Sequence, residues 1–285
     1  MNDIYEELKR IRILWDSLTI LRNKAGITVA RVETDSKSYV LKYFQDQSFR
    51  REIRNYRILS SLGIPTMKVI DRTDSAILLE DIACSSVYRL GSREDMADQE
   101  VARRIAVWYQ QLHNRGFSYV AQNGSDLYDE SDCFTLENIA FIKEKTGTQN
   151  VSAWRALERR FDAISAMLCN TRRTLTYNDF YYTNMMVAKD KSSALMFDYN
   201  LLGKGYVYTD LRNVMSSLSA EAGNTFLEEY GGYDPAEAAL DGVVSVVVAL
   251  YQACQRETFP SWARCLMQEI DTTFPGKIER LEGYL

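Results

Sequence analysis

The sequence predicts an α+β protein of two lobes, in which a small antiparallel-sheet lobe with one helix precedes a larger, mainly helical lobe. Up to about residue 82, short apolar segments rich in β-branched and aromatic residues alternate with polar turns. Beyond about residue 93, apolar residues recur at helical spacing instead. The length of 285 residues suits two lobes better than one compact domain.

The N-terminal lobe is predicted to begin with a helix, because residues 2–18 carry apolar side chains on one helical stripe. A strand-strand-helix-strand-strand block is predicted to follow. Its segments are residues 27–32, 39–44, 48–62, 67–70 and 76–80. The helix is expected to stop at Gly63 and Pro65, because both residue types end helices. This block is a small sheet with one helix, too small to be the whole protein.

The C-terminal lobe is predicted to be helical apart from one hairpin. Apolar residues recur at helical spacing in the segments 101–112, 151–169 and 211–274. The hairpin pairs residues 185–187 with residues 194–198 across a polar turn. We therefore expect an N-terminal lobe of residues 1–82, a connector of residues 83–92 and a C-terminal lobe of residues 93–285.

Composition narrows the function classes. The net charge of -5 argues against a general nucleic-acid binder, which needs a basic face. Five cysteines without C-x-x-C spacing and a single histidine argue against a zinc site and are typical of reduced thiols. The N-terminus lacks a signal-sequence layout, and the most apolar run, residues 243–250, is too short to span a bilayer. We expect a cytoplasmic protein without a membrane partner.

The most informative polar residues lie in and after the segment of residues 177–184, which we call the 177–184 loop. Asp179 and Asn184 are separated as in a D-x-x-x-x-N catalytic loop, and Asp198 ends the second hairpin strand. Asn184 and Asp198 supply the hard oxygen ligands that Mg²⁺ prefers. Asp179 is then available to accept or orient the proton of an attacking hydroxyl. The alternative is that these side chains only cap a turn and close a hairpin.

The N-terminal lobe supports phosphoryl transfer independently. Lys42 lies in a predicted strand and Glu52 opens the next helix, an order that suits an ion pair holding the lysine against nucleotide phosphates. A solvated lysine and a first-turn glutamate favoured by the helix dipole would explain each residue alone, but not the pair. Glu80 and Ile82 end an apolar strand and enter the connector, where backbone groups of a kinase meet the adenine edge. An ordinary edge strand explains that pattern equally well.

Together these segments resemble the aminoglycoside phosphotransferase and choline kinase family, whose fold is protein-kinase-like. The resemblance covers most of the chain, from the Lys42 strand through residues 110–113 to Phe197-Asp198. It implies ATP, with GTP as an alternative, and Mg²⁺ as cofactors. It also implies site residues in four roles: catalytic Asp179; nucleotide-binding Lys42, Glu52, Glu80 and Ile82; metal-binding Asn184 and Asp198; and, on the acceptor side, Tyr181 and Tyr182.

Three departures from the family pattern stand out. Tyr177-Asn178 replaces the usual His-Gly before the catalytic Asp. We expect Tyr177 to brace the loop by hydrogen bonding and Asn178 to tolerate the positive φ that glycine often serves. The predicted phosphate loop, residues 23–28, has one glycine only, and no D-F-G glycine follows Asp198. Because the charged residues Lys42, Glu52, Asp179 and Asp198 are all present, an active enzyme is favoured over an inactive one.

The acceptor is expected to be a small, cationic molecule with a hydroxyl group. Acidic clusters at residues 126–132 and 221–229 suit ammonium groups, and aromatic faces such as those of Tyr181 and Tyr182 suit a quaternary ammonium. A solvated acidic face and tyrosines packed in the core are the alternative. Aminoglycosides, choline-like alcohols and sugars all stay open as acceptors.

Two other functional hypotheses remain at this point. The unusual Tyr177-Asn178 pair and the glycine-poor phosphate loop are compatible with a nucleotide-binding pseudokinase that has a regulatory role. A structural interaction protein would require Asp179, Asn184 and Asp198 to lie far apart.

Overall fold

The computed structural model of the protein describes residues 2–285. Within this range the chain forms ten α-helices and eleven strands, which confirms the predicted α+β class. The helices are α1 Asn2–Ile11, α2 Arg51–Ser61, α3 Gln99–Asn123, α4 Leu136–Thr146, α5 Ser152–Asn170, α6 Val207–Met215, α7 Ala220–Tyr230, α8 Pro235–Cys254, α9 Arg264–Thr272 and α10 Phe274–Glu282. The strands are β1 Ser17–Lys24, β2 Ile27–Glu33, β3 Ser38–Phe44, β4 Val69–Arg72, β5 Ala76–Glu80, β6 Tyr88–Leu90, β7 Tyr128–Asp129, β8 Thr174–Thr176, β9 Met185–Ala188, β10 Ala194–Met196 and β11 Gly203–Gly205.

The chain divides into two compact units, each built from several segments. The first unit comprises the residues up to Arg115 together with Tyr177–Leu202 and Asn213–Gly231. The second comprises Gly116–Thr176, Gly203–Arg212 and Gly232–Leu285. This division groups the 177–184 loop and the hairpin after it with the N-terminal sheet. The lobe boundaries expected from the sequence follow chain order and stay a prediction.

The first unit contains an antiparallel five-stranded sheet of order β1-β2-β3-β5-β4. Ala25 and Gly26 join β1 to β2 with φ values of 51° and 74°, the positive values that a two-residue hairpin turn requires. In the central strand β3, Lys42 lies opposite Val29 of β2 and Ile77 of β5. Because the backbone of Lys42 is paired on both sides, the direction of its side chain is set by the sheet.

The prediction for residues 12–18 is wrong. Helix α1 ends at Ile11, where Arg12 adopts a φ of 60° that no helix continues. The strand β1, which the sequence did not reveal, has side chains that are all exposed or partly exposed. An edge strand with no buried face shows no apolar alternation, so the periodicity that marks a strand is absent.

The helix predicted over residues 48–62 is confirmed in its body. The first residues of the predicted helix are 3₁₀-helical instead of α-helical: Gln47–Arg50 form a 3₁₀ turn, and α2 begins at Arg51. Gly63, with a φ of 65°, follows the end of α2 as expected. The helix buries Glu52 and Asn55, two polar residues one turn apart and therefore on the same face.

A second sheet of the first unit, of order β10-β9-β6, contains the predicted hairpin as β9 and β10. Strand β6 lies inside the predicted connector and pairs with β9. Immediately after β6, the Gly91 N–H donates to the Met185 carbonyl at 2.7 Å. A Cβ on Gly91 would lie 2.4 Å from the Tyr182 carbonyl oxygen. Glycine is therefore required where this segment meets the 177–184 loop.

The second unit is built around an apolar core to which α4, α5, α8 and α10 contribute. Its fully buried members include Trp154, Val247 and Phe274. A short sheet of order β7-β11-β8 adjoins these helices. Among residues 2–285, α8 alone is long and apolar enough to cross a membrane. Most of that helix is buried in the core, and core helices meet the same criteria, so this observation is weak evidence for a membrane span.

Replacing Gly91 by alanine is expected to destabilise the protein. The added methyl group would overlap the Tyr182 carbonyl, and relief of such overpacking costs about 1–3 kcal/mol. Urea denaturation of the wild type and of Gly91→Ala measures the change. Gly223→Ala is the matched control, because Gly223 is a buried helical glycine of the same unit with no atom within 4 Å of the added Cβ. Equal stability of the two variants would contradict the packing described here.

Candidate active site

A buried lysine joins three elements of the first unit. Lys42 of β3 donates to Glu52 of α2 at 2.6 Å and to Asp198, just after β10, at 2.8 Å. Only 8% of Lys42 and none of Glu52 is exposed to solvent. The ion pair expected from the sequence between Lys42 and Glu52 is therefore present. The same ammonium group also holds the predicted metal-binding Asp198.

Burial and charge act in opposite directions on the members of this cluster. Burial alone would lower the pKa of Lys42, but the carboxylates of Glu52 and Asp198 outweigh it and raise that pKa. Burial raises the pKa of Glu52 to about 7, with Lys42 opposing the shift and Asp198 adding to it. Oxygen Oε1 of Glu52 is buried without a hydrogen-bond partner. The lysine thus stays charged and is shared between two carboxylates.

The 177–184 loop brings the predicted base to the predicted metal ligand. The side-chain amide of Asn184 donates to Oδ2 of Asp179 at 3.0 Å and to the Asp179 carbonyl at 3.1 Å. Burial, followed by the nearby charge of Asp198, raises the pKa of Asp179 to about 6. The hydrogen bond from Asn184 and the charge of Lys42 oppose this shift. Asp179 is thus tuned toward neutral pH, where a general base is most effective.

Tyr177 braces the loop, as expected from its position in place of histidine. Its fully buried hydroxyl donates to the carbonyl of Phe197, and the carbonyl of Asn184 lies 3.5 Å from the same oxygen. Phe197 N–H also donates to that Asn184 carbonyl at 3.0 Å. One phenol therefore contacts the backbone of Asn184 and of the residue that precedes Asp198. Burial raises the pKa of Tyr177 well above its usual value, which keeps the phenol a donor.

Two residues of the site adopt a left-handed backbone conformation. Asn178 has a φ of 63°, as expected for a residue that stands where glycine is common, and its side-chain amide donates to the Leu201 carbonyl at 3.0 Å. Asp198 has a φ of 62°, which is strained for a non-glycine residue. The neighbouring segment is held by Asn55, whose amide donates to the Tyr199 carbonyl at 2.7 Å.

Asn55 is a site residue that the sequence reasoning missed. It is 3% exposed and lies three residues after Glu52, on the helix face that meets the segment following Asp198. A buried asparagine needs hydrogen-bond partners, so its position one turn from Glu52 was the available signal. Arg51, from the same turn, donates to the Asn200 side chain at 3.1 Å.

Seven of the nine predicted site residues line one cavity of about 610 Å³ in the first unit. They are Lys42, Glu52, Glu80, Ile82, Asp179, Asn184 and Asp198. Apolar side chains of the five-stranded sheet cover another part of the wall, among them Val29, Val40 and Leu79. Glu80 does not offer a free carboxylate there, because its side chain accepts from the Lys68 N–H at 2.9 Å. The spatial scatter that a structural interaction protein would require is not found.

Tyr181 and Tyr182 lie in the 177–184 loop but do not line this cavity. Their ring centroids are 4.6 Å apart, and 48% of Tyr181 is exposed. The two rings therefore form a partly exposed aromatic pair beside Asp179, rather than core packing.

The oxygen atoms at the Asn184 and Asp198 end of the cavity fit a divalent cation. Among residues 2–285, the Asn184 side-chain carbonyl and Oδ2 of Asp198 accept no hydrogen bond. The carboxyl groups of Glu52, Asp179 and Asp198 outnumber the single charge of Lys42 at this end of the cavity. Burial is the main cause of the raised pKa of Asp179, and the charge of Asp198 adds to it. No group of three His, Cys, Asp or Glu side chains forms a metal site in the described chain. Two protein ligands completed by phosphate oxygens and water are usual for Mg²⁺.

The comparisons with known proteins agree with this geometry. The model of the phosphotransferase enzyme family matches residues 18–243, which include both the Lys42 cluster and the 177–184 loop. The chain belongs to this family. No curated protein sequence matches the chain significantly.

Solved structures show the same phosphotransferase fold. The choline kinase LicA from Streptococcus pneumoniae aligns over 99% of both chains with a TM-score of 0.67 and 16% identity. The macrolide 2'-phosphotransferase MphH from Brachybacterium faecium covers 95% of this chain and 98% of its own, with a TM-score of 0.60 and 17% identity. A complex of APH(2")-IIa with streptomycin and ATP covers 99% and 98%, with a TM-score of 0.61 and 16% identity. The predicted kinase-like architecture is confirmed.

Removing the hydroxyl group of Tyr177 is expected to lower the stability of the protein through a lost hydrogen bond, because the remaining ring still fills its place in the core. Tyr177→Phe leaves the carbonyl of Phe197 without its donor, which costs about 1–3 kcal/mol of unfolding free energy. Denaturation measures that loss. Tyr88→Phe is the control, because the Tyr88 hydroxyl contacts only the Ser193 side chain, at 3.2 Å and away from the loop. A Tyr177→Phe variant no less stable than Tyr88→Phe would show that the phenol does not brace the loop.

The raised pKa of Asp179 predicts how the stability of the metal-free protein depends on pH. Because the folded protein holds this proton more tightly than the unfolded chain, ionised Asp179 disfavours folding. The contribution of Asp179 to the free energy of unfolding therefore falls as pH rises from about 4 to about 6. The Asp179→Asn variant has no carboxyl group to ionise, so it does not lose this stability as pH rises. At about pH 7.5 its free energy of unfolding is expected to exceed that of wild type by up to about 3 kcal/mol.

Denaturation of both proteins at a series of pH values measures the difference. Asp162→Asn serves as the control, because Asp162 is an exposed residue of α5. A wild type and an Asp179→Asn variant with parallel pH profiles would contradict the electrostatic description of the loop.

Proposed function

We propose that this phosphotransferase moves the γ-phosphoryl group of ATP, or of GTP, to a hydroxyl group of a small cationic molecule. The observation that carries the proposal is the placement of Lys42, Glu52, Asp198, Asp179 and Asn184 around one cavity. These side chains would supply the charges and the base that phosphoryl transfer needs. This placement supports a working enzyme over a pseudokinase, since the Tyr177-Asn178 departure leaves the loop braced.

The nucleotide is proposed to occupy the cavity of about 610 Å³. Lys42, kept charged and oriented by Glu52, would bind the α- and β-phosphates. The apolar wall of the sheet would cover the base, whose edge would meet the backbone from Glu80 to Ile82 at the end of β5. A volume of this size, with an apolar wall at one part of the lining and polar groups at another, is typical of nucleotide and cofactor sites.

Mg²⁺ is proposed to bind through the free oxygens of Asn184 and Asp198. The ion would neutralise charge on the transferring phosphoryl group. Asp198 is held in reach of this position by Lys42, and Asn184 by its hydrogen bonds to Asp179. The carboxyl groups of Asp179 and Asp198 favour a cation at this end of the cavity.

Asp179 is proposed to accept the proton of the acceptor hydroxyl. Asn184 holds one of its carboxylate oxygens, which leaves the other available to the acceptor. A raised pKa strengthens Asp179 as a base while leaving it ionised at neutral pH. The partly exposed pair Tyr181 and Tyr182 is proposed to contact the acceptor, and aromatic faces favour a cationic one.

The small cationic acceptor is supported by what the similar structures bind. Their names specify a choline kinase and a streptomycin complex, both with amine-containing molecules. We extend this class, rather than either molecule, to the present chain. The composition, with a net charge of -5, agrees with a cationic acceptor and with a cytoplasmic enzyme that binds no nucleic acid.

The roles of the metal ligand and the base can be separated in one experiment. Thermal shifts with ATP and Mg²⁺, with each alone, and with GTP in place of ATP are measured for wild type, Asp198→Asn and Asp179→Asn. Wild type should be stabilised most by nucleotide and Mg²⁺ together. Asp198→Asn should lose the Mg²⁺-dependent part, whereas Asp179→Asn should keep it.

Turnover is measured with the same three proteins on a panel of aminoglycosides, choline-like alcohols and sugars. Asp179→Asn is expected to reduce kcat about 10²–10⁴-fold, the usual contribution of general base catalysis. A wild type that shows no Mg²⁺-dependent nucleotide stabilisation would overturn the proposal. Stabilisation without turnover on the whole panel would favour the pseudokinase instead.

A further inference from the structure

We propose that a second cavity, in the second unit, binds a small molecule that carries a phosphate group. This cavity of about 780 Å³ is lined by three cationic side chains, Arg172, Arg173 and Lys204, and we call it the basic cavity. Asp129 is the one carboxylate in its lining. Every lining residue belongs to the second unit, and none lines the cavity proposed above for the nucleotide and Mg²⁺. Asp129 belongs to the acidic cluster of residues 126–132 that the sequence suggested for an acceptor's ammonium groups, but here it is paired with Arg173.

Arg172 supplies an uncompensated, oriented cation. Its guanidinium carbon lies 3.7 Å from the centre of the Phe117 ring, so the planar group rests on the ring face. It forms no ion pair or hydrogen bond with any of residues 2–285, and it is exposed. A guanidinium held over a ring face and without a hydrogen-bond partner keeps its N–H groups available for the two-pronged binding of a phosphate.

Arg173 and Asp129 form a fixed part of the wall. The Arg173 guanidinium donates to the Leu168 carbonyl at 3.1 Å and lies 3.7 Å from Oδ2 of Asp129. The other oxygen of Asp129 accepts from Ser131. The only acid in the lining is therefore already engaged, and its charge is balanced by Arg173. The Arg173 nitrogen of this ion pair, Nη1, is buried and makes no hydrogen bond, so Arg173 is a fixed part of the wall.

Lys204 supplies the second uncompensated charge. It lies in β11, is partly exposed, and forms no ion pair or hydrogen bond among the described residues. The exposed Asp132 lies outside the lining; burial and the charge of Asp129 raise the pKa of Asp132, and the charge of Lys204 opposes that shift. With Arg173 and Asp129 balancing each other, the lining keeps two positive charges, from Arg172 and Lys204, in a chain of net charge -5.

The uncharged part of the lining fits a small organic phosphate rather than a nucleic-acid backbone. Ser118 and Ser125 add hydroxyl groups, while Phe117, Val120 and Ala121 add apolar surface. A dianion matches the two free cations, and the apolar side chains leave room for the organic part. A nucleic acid needs a long basic stripe, and this is a single concave site.

Binding is tested by calorimetric titration with glycerol 3-phosphate, at constant pH and ionic strength, with glycerol and chloride as blanks. The wild-type protein is expected to give a heat of binding that saturates as glycerol 3-phosphate is added. Arg172→Gln and Lys204→Gln should each weaken binding about tenfold or more, because each removes a charge-assisted contact. Arg172→Lys should bind with intermediate affinity, since it keeps the charge but loses the planar fork. Circular dichroism confirms that these variants, changed at exposed or partly exposed positions, remain folded.

Two further variants make the result decisive. Arg159→Gln, at an exposed position of α5 outside the cavity, should bind as wild type does. Asp198→Asn, the partly exposed variant used above against Mg²⁺ binding, should also leave binding unchanged, which separates the basic cavity from the proposed nucleotide and metal site. The proposal is overturned if wild type shows no saturable binding. It is equally overturned if Arg172→Gln and Lys204→Gln bind normally, or if a folded Asp198→Asn variant alone abolishes the heat of binding.

Discussion

The shared hydrogen bonding of Lys42 is the interaction on which the rest of the first unit depends. One ammonium group joins the central strand of the sheet, the helix packed on it and the residue after β10. Lys42 and Glu52 are buried, whereas 32% of the Asp198 side chain is exposed. Losing the lysine would leave the buried Glu52 without its partner, and breaking a buried ion pair in this way typically costs about 3–5 kcal/mol. The sheet, α2 and the β9-β10 hairpin are thereby held in one arrangement.

A second set of contacts holds the oxygens of the site in place. Tyr177 bonds to the backbone next to Asp198, Asn55 bonds to the backbone just after it, and Asn184 bonds to Asp179. Tyr177 and Asn55 are buried, and Asn184 is partly buried. An unmade hydrogen bond is expensive away from water. The loop can therefore dispense with the histidine and glycine usual in its family, because a buried phenol and a left-handed asparagine serve the same positions.

The fold class and most elements were predictable because their side chains alternate between core and solvent with a clear period. Strand β1 was not predictable in this way, because it lies at a sheet edge and none of its side chains is buried. Strand β6 was not predictable either, because its three residues are too few to show a period. Its pairing with β9 is also a contact between segments that are distant in the chain. Helix α1 was predicted too long, since apolar residues beyond Ile11 pack from a turn rather than from a helix.

The sequence by itself determined the pairing of Lys42 with Glu52 and the order of Asp179, Asn184 and Asp198. These residues are close in the chain, where helical and strand spacing limits what can meet. Only the tertiary structure decided that Lys42 also holds Asp198, 156 residues away, that Asn55 belongs to the site, and that Arg172 and Lys204 share a cavity. Such contacts depend on how distant segments pack, which local periodicity does not encode.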